Sequence, residues 1–152
     1  MRTFSQDLEI VPLDRYNWEK FIHIEVEDGQ KAFINSNLFL LAQANFENLN
    51  PFGINFRGQP AGLMTYGEFN GICWINHIMI EKSVQQQGLG SKSLTAMIDH
   101  LKGNRHCREI RTTVSLKNIW GLYFFEQAGF EVIEDDLGGE VILRLVRKEN
   151  LA

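Results

Sequence analysis

The sequence predicts an α/β domain on a mixed, mostly antiparallel sheet of about seven strands flanked by about four helices. Three observations carry that expectation. The run from Phe52 to Ile80 sets strand-like stretches close together between turn residues, the pattern of strands adjacent in sequence. The run from Gly88 to Phe130 sets a strand between two helical stretches, the pattern of helix-separated strands. A chain of 152 residues, 44% of them hydrophobic, suits one compact domain with its own core. Residues 1–152 are therefore expected to form a single domain.

Taken in order, Glu9 to Leu13 reads as a short first strand. Trp18, Phe21 and Ile22 stand at helical spacing, so a first helix is expected over Tyr16 to Val26. Ser36 is a natural N-cap for a second helix carrying Leu38, Leu41 and Ala44, and Pro51 ends that pattern. Phe52 to Phe56 and Ala61 to Phe69 flank the turn-like Arg57-Gly58-Gln59-Pro60, and Asn70-Gly71 supplies the positive φ angles of a tight hairpin. In the strand Ile72 to Ile80, strict alternation puts Ile72, Trp74, Asn76, Ile78 and Ile80 on one face. Cys73, Ile75, His77 and Met79 fall on the other. Leu94, Met97, Ile98 and Leu101 make an amphipathic helix. Glu109 to Ser115 is strand-like, and Asn118 to Gln127 is a short helix stopped at Gly129. Glu131 to Ile133 and Glu140 to Arg147 complete the sheet across Gly138-Gly139.

Composition narrows the function. No apolar run approaches the roughly 18–20 residues that cross a bilayer, and Met1 to Asp7 lacks the apolar stretch of a secretory signal. A cytoplasmic protein without a membrane partner is expected. The net charge of −4, with no basic stripe, opposes nucleic-acid binding. A mildly acidic surface suits a cationic substrate, and equally suits ordinary solubility. Cys73 and Cys107 form no CxxC pattern, and His106 beside Cys107 cannot make a zinc site alone. Neither a disulfide framework nor a metal is expected.

The most informative segment runs strand, loop, helix from Ile78 to Ser91. Gly88 and Gly90 lack a Cβ, so backbone there can approach a ligand closely. A helix beginning at that point offers unpaired N–H groups and a positive dipole end, which bind phosphate. The segment lacks the GxxxxGK[ST] pattern, and Ser93 stands where a dinucleotide fingerprint needs a third glycine. On local physics alone, the loop is equally an ordinary turn.

The spacing Gln85-x-x-Gly88-x-Gly90 resembles the Gln/Arg-x-x-Gly-x-Gly/Ala motif of the GCN5-related N-acetyltransferases (GNAT), whose loop amides hold the CoA pyrophosphate. Asn118-Ile119-Trp120-Gly121-Leu122-Tyr123-Phe124-Phe125-Glu126-Gln127-Ala128-Gly129-Phe130 is similar to that family's Asn-x-x-Ala-x-x-(Leu/Phe)-Tyr-x-x-x-Gly-Phe segment. In element order the resemblance covers nearly the whole chain. It implies a GNAT fold and acetyl-CoA as co-substrate. Backbone groups of Ile78, Met79 and Ile80 would pair with the pantetheine arm. Gln85, Gln86, Gln87, Gly88, Leu89, Gly90 and Ser91 would contact the pyrophosphate. Asn118 would hydrogen-bond the pantetheine region, while Phe124 and Phe125 would wall the thioester end. Read without the family, Asn118 is as much a helix cap and the two phenylalanines as much core.

Transfer to an amine needs the neutral amine, which at pH 7 is less than about 0.1% of an alkylammonium of pKa near 10.4. A base therefore helps. The family's tyrosine acid position is occupied by Phe125, and Tyr123 lies about 200° round the helix from it. Where many relatives carry an acid, four residues before Ile80, this sequence has Asn76, which orients water or substrate but is no base. His77 titrates in the useful range, although alternation aims it at the other sheet face. Asn76, His77 and Tyr123 are the catalytic candidates. Proximity and polarisation of the carbonyl supply much of the rate in any case.

Residues 25–34 and the helix from Asn37 to Ala44 look like the spermine/spermidine branch, including a Gln30-x-x-Phe33 segment. A polyamine pocket should gather carboxylates, and Glu25, Glu27, Asp28 and Glu68 are the candidates; the same acids also read as solvated surface. The expected activity is direct acetyl transfer to a primary amine of a small cationic acceptor, with no covalent enzyme intermediate. A non-catalytic acyl-CoA-binding or regulatory domain and a protein or peptide N-acetyltransferase are the alternatives. Relatives of this kind are often dimers, so a homodimer is expected from the resemblance.

Overall fold

The computed structural model describes residues 7–31, 36–134 and 138–146. Its centre is a seven-stranded sheet, β1 (Leu8–Pro12), β2 (Asn50–Phe56), β3 (Gln59–Phe69), β4 (Ile72–Ile80), β5 (Glu109–Ser115), β6 (Phe130–Glu134) and β7 (Glu140–Leu145). The spatial order is β1-β2-β3-β4-β5-β7-β6. Only β4 and β5 run parallel; the other neighbours are antiparallel. Three α-helices lie among the described residues: α1 (Asn37–Phe46), α2 (Leu89–Lys102) and α3 (Ile119–Gln127).

The hairpin chemistry follows the dipeptides. Asn70 and Gly71 both take positive φ, 51° and 82°, and Arg57 and Gly58 do the same at 53° and 77°. Those are the paired left-handed angles that match strand twist. The second turn is therefore two residues long, and Gln59 and Pro60 already belong to β3.

The expected first helix over Tyr16 to Val26 does not form. A single 3-10 turn, Trp18–Phe21, occupies that stretch, with extended chain after it. Asp14 Oδ1 accepts from the N–H groups of Tyr16 and Asn17, which starts the turn. Beyond Phe21 the buried residues are Ile24 and Val26. That is a spacing of two, and β-branched side chains favour it over helix. The result is a strap across the sheet. In α1, Ser36 caps as expected, accepting from Phe39 N–H at 3.2 Å. The buried stripe is Asn37, Leu40 and Ala44, whereas Leu38 is 57% exposed. Asn37 Nδ2 donates to Phe21 carbonyl oxygen at 2.9 Å, which satisfies the buried amide, while Leu41 packs at the border of the core and Ala44 is buried as expected.

Two cores result, one on each side of the sheet. The larger joins Leu94, Met97, Ile98 and Leu101 of α2 to Ile54, Met64, Ile75 and Leu143, with Leu122, Phe124 and Phe125 of α3 packed on it. The smaller gathers Phe21, Ile24, Val26, Leu40, Leu63 and Met79 under the strap and α1. Gly53 lies beneath Phe21: a Cβ there would enter the ring. No helix of the described residues is long and apolar enough to cross a membrane.

Candidate active site

The site begins where the sheet splits. β4 pairs with β5 only from Ile72–Glu109 to Ile75–Thr112. Beyond that point β5 continues beside β7 to Ser115, while residues 76–80 of β4 have β3 on one side and, among the described residues, no strand on the other. Thr112 Oγ1 donates to Ile75 carbonyl oxygen at 2.9 Å at the fork, closing the last rung with a side chain. The backbone of Ile78, Met79 and Ile80 thus lies along an edge with no strand beside it among the described residues, the geometry that accepts an added extended segment, although Ile80 carbonyl oxygen already accepts from Gln85 Nε2 at 2.9 Å.

A β-bulge alters the faces of this strand. Thr65 pairs with His77 and Tyr66 with Ile75, so Asn76 is an inserted residue. Directly paired residues share a sheet face. His77 therefore lies on the side of Thr65, and Met79 on the side of Leu63, within the smaller core. Asn76 Nδ2 lies over Gly67, the partner of Trp74, on that same side. Ile78 and Ile80 pack on the larger core with Ile75. The expectation that His77 opposes Asn76 is corrected: the inserted residue shifts the alternation by one, and both face the strap. His77 is half-buried, and burial pushes its imidazole below the usual value of 6.5, which keeps it neutral near pH 7.

After β4 the chain makes a 3-10 turn, Lys82–Val84, and enters α2 through Gly88 in the left-handed region, φ 76°. The N-cap is glycine, and among the described residues no side chain is hydrogen-bonded to the amides that open α2. Lys92 N–H donates to Gly88 carbonyl oxygen, the first rung of the helix. The amides of Leu89, Gly90 and Ser91 precede it and lack intrahelical acceptors, so they stand at the helix's positive end. Gly90 is held against α3: a Cβ at that position would stand 3.4 Å from the ring of Phe124. Gln86 and Gln87 are exposed beside this start. Gln85 is not directed there. Its Nε2 donates to Ile80 carbonyl oxygen and to Gln30 Oε1, both at 2.9 Å.

Asn118 caps α3, its Oδ1 accepting from Gly121 N–H at 3.0 Å. Gly121 stands where the motif has alanine, and a Cβ there would come 2.5 Å from Asn118 Nδ2. Phe124 and Phe125 meet edge to face at 5.2 Å, and Phe125 packs on Phe130 at 5.3 Å. Tyr123 is 59% exposed.

On the strap side a cleft of about 650 Å³ is lined by Ile22, His23, Ile24, Glu25, Val26, Lys31, Ser36, Asn37 and Met79. Of the four acids singled out from the sequence, only Glu25 lines it. Its carboxylate lies 3.0 Å from Lys31 Nζ and 3.5 Å from Lys82 Nζ, which hold it below the usual carboxylate range. Asp28 pairs with Lys31 at 3.0 Å. Glu27 is exposed beside the 3-10 turn Asp28–Gln30. Glu68 pairs across the hairpin with Cys73, away from the split. The sequence does not reveal His23, Lys31 and Asn37 as cleft residues, nor Lys82 as a partner of Glu25, because no local pattern brings those segments together.

Comparisons with known proteins identify the family and the fold. The model of the acetyltransferase (GNAT) family matches residues 14–130. A spermine/spermidine N(1)-acetyltransferase of Bacillus subtilis (strain 168) is 28% identical over 137 residues, covering 84% of this chain and 90% of its own. Among solved structures, the ribosomal L7/L12 alpha-N-protein acetyltransferase RimL superposes with a TM-score of 0.75 at 14% identity, covering 96% of this chain and 93% of its own. A GNAT-family acetyltransferase from Elizabethkingia anophelis with acetyl-CoA bound gives 0.69 at 14% identity, covering 94% and 100%. The chain belongs to the GNAT acetyltransferase family, and it is an N-acetyltransferase that uses acetyl-CoA as co-substrate.

Proposed function

We propose that this enzyme transfers acetyl from acetyl-CoA directly to a primary amine of a small cationic acceptor, with polyamines as the substrate class. The observation that carries the cofactor half is the free edge of β4 at 76–80 leading into an uncapped helix start. The pantetheine arm pairs with the backbone of Ile78, Met79 and Ile80, and the pyrophosphate rests on the amides of Leu89, Gly90 and Ser91. Gly88 lets the chain turn into that helix, and Gln86 and Gln87 flank it. Asn118, its Oδ1 engaged in the cap, offers Nδ2 towards the pantetheine. Phe124 and Phe125 form the apolar wall of the thioester end.

The acceptor enters from the strap side, through the cleft that reaches Met79. The bulge favours a role for His77, since it faces the same side and is neutral. His77 takes the amine proton, directly or through water held by Asn76. The nitrogen then attacks the thioester carbon, the C–S bond breaks, and CoA leaves as a thiolate. The second proton that the nitrogen loses passes through water to the sulfur, since Phe125 has none to give; a thiol of pKa near 8.5 tolerates this.

Glu25 supports a cationic acceptor in an unexpected way. Its partners, Lys31 and Lys82, are themselves ammonium groups on exposed side chains. Exposed ion pairs exchange readily, so a substrate ammonium can replace one of them with little net change in charge pairing. The B. subtilis relative, whose name specifies spermine and spermidine, points the same way. The test is a thiol-release assay with acetyl-CoA against spermine, spermidine, monoamines and lysine- or amino-terminal peptides. Polyamine turnover with kcat/KM about tenfold or more above the peptides is expected. Turnover of peptides with none of polyamines would overturn the acceptor assignment and leave the cofactor half standing.

A further inference from the structure

Gln30 and Gln85 belong to two different sequence patterns, one in the acceptor strap and one in the cofactor loop, and the fold joins them. Their amides form a reciprocal pair: Gln85 Nε2 donates to Gln30 Oε1 at 2.9 Å, and Gln30 Nε2 donates to Gln85 Oε1 at 3.3 Å. Gln85 Nε2 also donates to Ile80 carbonyl oxygen at 2.9 Å, so the pair is anchored on the last residue of β4.

The strap is fastened to the same loop at a second point. Glu25 N–H donates to Glu81 Oε2 at 2.8 Å, and Lys82 N–H donates to Glu25 carbonyl oxygen at 2.7 Å. Residues 25–30 are therefore held at both ends to residues 81–85. The segment above lines the acceptor cleft; the segment below leads through Gln86 and Gln87 into the start of α2. Gln85 does not face the phosphate site itself, so its side chain is not needed there as a ligand.

From this we infer that Gln30 is a positioning residue: through Gln85 it makes the order of the acceptor strap depend on occupation of the phosphate site. The inference rests on the proposal that the α2 start holds the diphosphate and the cleft takes the acceptor. When the loop is held by CoA, Gln85 is held with it, and the Gln30 end of the strap opens less often from residues 81–85. Two sites that share one ordered segment are coupled reciprocally. The bonds at Glu25 use mainly backbone groups and survive any change at position 30, so Gln30 is the adjustable member.

The test uses the full chain with CoA as the probe, read by amide hydrogen exchange. In the wild type, saturating CoA should slow exchange at 22–31 by about fivefold or more, alongside slowing at 88–91. Gln30→Ala should abolish the slowing at 22–31, keep that at 88–91, and leave the melting temperature unchanged. Gln30→Glu retains an oxygen for Gln85 Nε2 and should restore the response. With an amine the enzyme acetylates, Gln30→Ala should raise the acceptor KM by about fivefold or more with kcat little altered. The latch is refuted if CoA protects 88–91 but not 22–31 in the wild type, or if Gln30→Ala behaves as wild type. Should CoA leave 88–91 unprotected, the phosphate-site reading itself fails, and the latch falls with it.

Discussion

The proposed cofactor side and the proposed acceptor side of β4 are assembled in opposite ways. Towards CoA, the elements that matter are backbone: a strand edge left open by the fork at Ile75 and Thr112, and helix amides left uncapped after Gly88. They come from one unbroken stretch, 78–91, supported by the larger core. Towards the acceptor, the lining is side chains drawn from 22–26, 31, 36–37 and Met79, over the smaller core. Backbone geometry tolerates change in most side chains, whereas a pocket of side chains is rewritten by each substitution. A constant co-substrate and a variable acceptor are suited by that division.

The largest expected effect probes the cores themselves. Leu101 is fully buried in the larger one, so Leu101→Ala should cost about 2–5 kcal/mol in denaturant unfolding. Leu40 is equally buried beneath the strap, but its core holds few residues. Leu40→Ala should raise the acceptor KM while CoA affinity holds. If both variants weakened CoA alike, the two sides would not be separable.

Next in size is a charge at the helix start. Ser91→Glu places a carboxylate in the first turn of α2. It should stabilise the helix slightly, by about 0.3–1 kcal/mol. It should also oppose a diphosphate there by roughly 2 kcal/mol, about thirtyfold in CoA affinity. A rise in melting temperature with a fall in affinity is the signature. Unchanged CoA binding would remove the diphosphate from this end.

A smaller effect concerns the missing acid. Phe125→Tyr restores a phenol at the position where the family motif has tyrosine, and should raise kcat about two- to tenfold or extend activity at high pH. A loss of stability with no rate change would mark Phe125 as packing against Phe124 and Phe130 only.

The smallest effects are in pH dependence. Burial lowers the pKa of His77, so kcat/KM should rise with pH through an apparent pKa below 6.5, and His77→Gln should remove that limb. His100, against Phe52 and Tyr66, is lowered by burial too. A group whose folded pKa is depressed binds its proton more readily when unfolded, so stability should fall as pH drops below about 6.5. Gln at either position should flatten that fall in the melting temperature.

What the sequence determined by itself was whatever depends on neighbours along the chain. Asn70-Gly71 dictates its turn through left-handed angles, Ser36 and Asn118 cap the helices they precede, and Leu94 to Leu101 mark one helix face. The start of α2 after Gly88 was legible for the same reason, whereas the open edge of β4 was not, because it depends on where β5 diverges at Thr112. Tertiary structure alone decided the rest. Ile24 and Val26 became a strap instead of a helix because a distant core, Leu63 and Met79, takes their side chains. His77 changed face because one residue of β4 has no partner on β3. Glu25 met Lys82, and Gln30 met Gln85, across more than fifty residues. Pairings at that separation are selected by the free energy of the whole packed domain, and no window of sequence contains it.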